Sequence, residues 1–162
     1  MTTDIHTGEN VTQFPVSEIK DRQAWMAVLA RAQLSELEAA WENTTDKPQY
    51  NLLRAPESGM VMVRARAGGE GQRFNMGEMS VTRCVVTTSD GVQGHAYVAG
   101  RDKRHATLAA LFDALLQDQG RRNDIEQRVL KPVCERLSTD QTETDRKVAA
   151  TRVDFFTMVR GQ

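Results

Sequence analysis

The sequence predicts an α+β domain: an antiparallel sheet of about four strands with an N-terminal helical hairpin, a long helix packed on the sheet, and C-terminal helices with an extended tail. Three observations carry this. Ser89-Asp90-Gly91 is an Asp-Gly hairpin signal between two runs of strand-forming residues. Leu108, Leu111, Phe112, Leu115 and Leu116 then recur at helical spacing, directly after the second run. Helices first, strands in the middle and helices last is the order of an α+β chain, not of alternating βαβ units.

In chain order, residues 1–18 are polar and aperiodic and read as a disordered leader. From about Ile19 a helix is expected, with Trp25, Val28, Leu29 and Ala32 on one stripe. Ser35 and Glu38 match a capping box for a second helix that buries Leu37, Ala40 and Trp41. Asp46-Lys47-Pro48 breaks that helix. Strands are expected at Tyr50–Ala55 and Met60–Ala67, with Pro56-Glu57-Ser58-Gly59 as the turn between them. In the second of these, Val61, Val63, Ala65 and Ala67 face one way, and Met60, Met62, Arg64 and Arg66 the other.

The glycine-rich stretch Gly68–Phe74 lacks both the phosphate-loop lysine pattern and GxGxxG, and strand pattern resumes after it, so it reads as a connection. A third strand follows at Met79–Thr88 and a fourth at Val92–Ala99. Val92, Gly94, Ala96 and Val98 point to one side of the fourth, Gln93, His95 and Tyr97 to the other. Asp102 is placed to cap the long helix and Gly120 to end it. Ile125, Val129, Val133 and Leu137 recur every four residues past Pro132, and Asp140 is expected to cap a last, polar helix. The chain therefore divides into the leader, an α+β core at 19–140, and a C-terminal helix with an apolar tail at 141–162.

The whole-chain numbers exclude several classes. A chain of 162 residues, 40% apolar and 27% charged, suits one globular domain. No stretch approaches the roughly 20 apolar residues of a membrane span. The start, MTTDIHTGENVTQF, lacks the basic and apolar regions of a signal peptide. Cys84 and Cys134, without a CxxC pattern, fit a reducing cytoplasm and cannot alone hold a zinc or an iron–sulfur cluster, so no metal is expected. Residues 54–104 carry eight Arg/Lys against five Asp/Glu in a chain of net charge −1. That is too weak a footprint for nucleic acid, but it suits a small anion or an acidic partner patch.

Candidate anion-binding residues are Arg64, Arg66, Arg83, Arg101, Lys103 and His105, the last three at the start of the long helix. Free amides and cations converge at such a terminus, unless it is simply a solvated basic turn. Glu78 and Cys84, with Arg83 in GEMSVTRC, are either polar site groups or strand-packing residues. Phe155, Phe156, Met158, Val159 and Arg160 end the chain in an apolar cluster after a polar spacer, which suits a partner-binding tail.

Four strings resemble a known family: RQAWMAVLA (Arg22–Ala30), ARAGGEGQRFNMGEMSVTRC (Ala65–Cys84), DGVQGHAYVAGRDKRHA (Asp90–Ala106) and VDFFTMVRG (Val153–Gly161). They are similar to the G subunit of the bacterial carbon–phosphorus lyase system, PhnG. The resemblance implies a subunit of a complex that displaces adenine from ATP with an alkylphosphonate. Its partners would be the H, I and J subunits of the core complex, with K and L proteins associating. ATP, with Mg, would be a substrate of the complex, and no cofactor would be bound by this chain alone. The resemblance also places the nucleosidase chemistry in the I subunit, so this chain is expected to be required without supplying the main catalytic groups. Residues alone leave an alternative: a stand-alone binding module for a small anionic ligand.

Overall fold

The computed structural model describes residues 21–68 and 70–151. The leader 1–18 and the tail residues Phe155, Phe156, Met158, Val159 and Arg160 lie outside them. The chain begins with α1 (Arg22–Leu29) and α2 (Leu34–Glu42). A sheet follows: β1 (Tyr50–Arg66), β2 (Arg73–Thr88) and β3 (Gln93–Ala99). Helices α3 (Lys103–Leu116), α4 (Gln119–Ile125) and α5 (Lys131–Ala150) complete it, with a π-helical turn, Glu126–Leu130, between the last two.

The α+β class holds, with three strands instead of four, in the order β1-β2-β3 and antiparallel throughout. The difference lies at Pro56–Gly59, which is not a turn. The chain stays extended through it, with register shifts on either side of Arg54. A proline is compatible here because β1 is an edge strand and Pro56 sits in a bulge, where no ladder amide is needed. Strand β2 likewise starts at Arg73, earlier than expected, and pairs along the whole of β1. The Asp-Gly turn is as expected: Gly91 adopts φ +81° and its amide donates to the Thr88 carbonyl at 2.9 Å.

The helical hairpin forms with its first cap at Asp21, whose carboxylate accepts from the Ala24 amide at 2.7 Å. The second cap lies two residues before the expected one. Gln33 is the extended residue, and Glu36, not Glu38, reaches back to its amide at 2.7 Å. Asp102 caps α3 as expected, accepting from the Arg104 and His105 amides at 2.9 Å each. Helix α3 does more than lie on the sheet. Eleven of its fourteen residues are buried, so it is a central helix with the sheet on one side and the other helices around it.

Gly94 allows the closest approach to α3: a Cβ there would stand 1.9 Å from the Ala110 carbonyl oxygen and 2.8 Å from the Ala114 amide nitrogen. Two expected breaks are absent. Gly120 does not end α3, which stops at Leu116; it lies inside α4, its amide bound to Asp118 at 2.9 Å. Asp140 caps nothing, because α5 runs through it without interruption. The π-helical turn absorbs the change of phase ahead of Pro132 and keeps Ile125, Val129 and Val133 buried in one core.

Candidate functional site

The sheet has a helix-covered side and an open side, and the strand register sorts the candidate residues between them. On the open side, Arg83 faces Tyr97 on β3 and Glu57 on β1. The Glu57 carboxylate accepts from Arg83 at 2.6 Å and from Arg54 at 2.7 Å. Those two guanidinium groups, Arg54 first, hold its carboxyl below the usual carboxylate range. Glu57, Gly59, Val61, Val81, Arg83 and Tyr97 line a shallow groove at this point. Glu57 is thus an ionised, engaged group, suited to setting charge and shape and not to giving up a proton near neutral pH.

The other candidates do not join it. Arg64 and Arg66 sit at the far end of β1, opposite Asn75 and Arg73. Between Asn75 and Arg83 the strand runs eight residues, roughly 25 Å at strand rise. Arg101 donates to the Ser80 hydroxyl at 3.2 Å, and Ser80 lies across from Met60, on the side opposite Arg83. Lys103 is exposed at the first turn of α3, where the Asp102 carboxylate already takes the free amides. His105 turns inward: it is buried, with Nε2 3.0 Å from the Leu29 carbonyl, and leaves the basic corner altogether.

Glu78 and Cys84 are also far apart in environment. Glu78 is exposed, while Cys84 is fully buried with its thiol 3.6 Å from the Arg54 carbonyl. Burial pushes the Cys84 thiol up, with Thr107 opposing weakly, so it stays protonated at neutral pH. Cys134 is buried and pushed up in the same way. Cys84 is therefore a packing residue. Among the described residues, no three His, Cys, Asp or Glu side chains gather as a metal-binding group. No described helix is long and apolar enough to cross a membrane.

One cluster has no counterpart in the sequence reading. Asp113 on α3 is fully buried and accepts four hydrogen bonds: Arg22 Nε at 3.1 Å, Arg22 Nη2 at 2.7 Å, Trp25 Nε1 at 2.9 Å and the His95 amide at 2.8 Å. It ties α1 to β3 through α3. The carboxylate in turn holds the Arg22 guanidinium above its ordinary value. A lone acid inside the apolar run LFDALL was the available signal. The Arg54–Glu57–Arg83 trio was missed for another reason: residues 56–59 read as a turn, and a turn places no side chain in a sheet register.

The family profile described as "Phosphonate metabolism protein PhnG" matches residues 20–161. The chain belongs to this family of phosphonate metabolism proteins. A curated relative from Rhizobium meliloti (strain 1021), alpha-D-ribose 1-methylphosphonate 5-triphosphate synthase subunit PhnG, is 46% identical over 144 residues, covering 89% of this chain and 92% of the relative.

Proposed function

We propose that this chain is a non-autonomous subunit of the complex that transfers the ribose 5-triphosphate moiety of ATP to an alkylphosphonate with release of adenine. Its role there is mainly structural and accessory. The name and length of the Rhizobium relative support the complex. The dispersal of the candidate cations supports the accessory role. Displacement at a sugar carbon needs a triphosphate anchored at one end and a nucleophile aligned at the other, by groups converging on one ligand. Here Arg64 and Arg66, Arg83, Arg101 and His105 occupy different places and both sides of the sheet. The groups acting on the reacting atoms accordingly come from a partner.

In this reading the partners are the H, I and J subunits, with K and L associating, ATP with Mg is the substrate of the whole, and the setting is cytoplasmic. The tail residues Phe155, Phe156, Met158, Val159 and Arg160 make a partner contact. Removing residues 153–162 is expected to abolish co-purification.

The deciding experiment measures adenine release from ATP and methylphosphonate by the purified assembly carrying Arg101→Ala with Lys103→Ala. Release within about twofold of wild type is expected. A loss of about a hundredfold or more with assembly intact would put the basic corner in the active site and end the accessory reading. Calorimetry of the lone chain with ATP and with methylphosphonate is expected to show no binding; a clear isotherm would favour the stand-alone module.

A further inference from the structure

Beyond Gly59 on β1, and before Ser80 on β2, the hairpin leaves the body of the protein as a two-stranded arm. Residues 71–79 are all exposed, and on β1 the best-covered positions, Val61, Val63 and Ala65, are only half-buried. Two paired strands with one face open and the other only partly covered are marginal in water, so the open face of such an arm gains its cover elsewhere.

The register shows what that cover must be. Ser58 pairs with Thr82, and Met60 and Met62 continue the same side of the sheet outward, opposite Ser80 and Glu78. This is the side that α3 covers at Thr82, Cys84 and Val86, which are fully buried. Met60 and Met62 are 65% and 50% exposed. Next along that side come Arg64 and Arg66, with Arg73 directly across from Arg66. A like-charge pair facing itself across two strands is unfavourable. Among the described residues, none of these three arginines has a carboxylate in ion-pair range. The row therefore runs from methionines near the body to three arginines at the tip, and its one acid among the described residues, Glu78 opposite Met62, forms no ion pair with them.

We propose that the β1–β2 arm is a docking element for a different protein chain, resting on the subunit reading above. That chain presents an apolar surface which continues the roof α3 begins, seats Met60 and Met62, and ends in carboxylates that meet Arg64, Arg66 and Arg73. The charge pattern argues against a second copy at this site. Arms aligned in parallel would stack the three tip arginines on themselves, and arms aligned antiparallel would bring them to the base, where Arg101 stands. An acidic partner relieves the Arg66–Arg73 repulsion; a second arm increases it.

The test uses the full chain, tagged and co-expressed with the other subunits of the assembly, as wild type, as Met60→Ser with Met62→Ser, and as Arg64→Glu with Arg66→Glu. Wild type is expected to retain the other subunits, and each paired variant to retain about a tenth or less. The thermal midpoint of each tagged chain should match wild type, because these side chains touch no core. Hydrogen exchange on wild type gives a second measurement that needs no substitution: amides of 60–66 and 74–79 should slow at least about tenfold on assembly. If both variants assemble like wild type, or the arm amides exchange unchanged, the arm proposal is overturned while the subunit reading stands. If wild type itself retains no subunit, both fall. If the lone chain is a dimer that the arm variants split, a second copy is the occupant and the proposal is wrong.

Discussion

Strand β2 passes through two environments within sixteen residues. Its first half, Arg73–Met79, is exposed on both sides. Its second half, Val81–Thr88, is buried or half-covered at every position except Arg83, with Thr82, Cys84 and Val86 beneath α3. Pairing with β1 runs through both halves and is broken by a register shift in each, so backbone pairing alone does not distinguish them. What differs is side-chain cover, and cover is what stabilises a sheet beyond its ladder. Helix α5 repeats the contrast. Val133 and Cys134 are buried, whereas residues 138–150 are exposed throughout. One body thus carries two projections that its own core does not pay for.

Gly94→Ala should break the packed half most severely. Its Cβ would press on α3 backbone at Ala110 and Ala114, which cannot yield as a side-chain tip would, so loss of soluble folded protein is expected. Soluble expression with native circular dichroism would show that α3 can ride up off β3. Asp113→Ala comes next, at about 3–5 kcal/mol in urea denaturation, because it strands the buried Trp25 indole and the part-buried His95 amide and removes the partner of Arg22. A change under about 1 kcal/mol would mean that the α1–β3 tie is not integral to the packed half.

The Glu36–Arg136 pair, 2.7 and 3.1 Å across two contacts, holds α2 to the buried end of α5. Burial pushes the Glu36 carboxyl up, but Arg136 and the Gln33 amide outweigh it, and the net value lies below the ordinary 4.5. A depressed folded value gives stability that is complete above the unfolded value and lost as pH falls through the folded one. Stability should therefore decline below about pH 4.5 by about 1 kcal/mol through this pair. Arg136→Leu should flatten that part of the acid titration, and an unchanged slope would assign it to other carboxyls.

At the small end, Gly77→Ala and Met76→Ala in the arm should each shift stability by less than about 0.5 kcal/mol. A Cβ at Gly77 meets nothing within 4 Å, and Met76 is 69% exposed. Should either cost as much as Asp113→Ala, the arm is packed after all and the contrast fails.

Legibility followed the same division. The α3 stripe, the Asp102 cap, the Asp90-Gly91 turn and the two faces of β3 were readable because each depends on local chemistry or short periodicity. The extended passage through Pro56 was not: proline and glycine signal a turn locally, and only pairing with β2 keeps that segment in the sheet. The same holds for Glu57, Asp113 and His105, whose partners lie 26, 88 and 76 residues away.

By itself, the sequence determined the fold class, the family and the position of α3, since amphipathic period, turn chemistry and motif strings are properties of neighbouring residues. Only the tertiary structure decided which part of the sheet α3 covers, where the cations fall relative to one another, and that the arm's Met60–Arg66 side stands open. Those are outcomes of register and of one helix's finite length, about 21 Å for fourteen residues, against a strand more than twice as long.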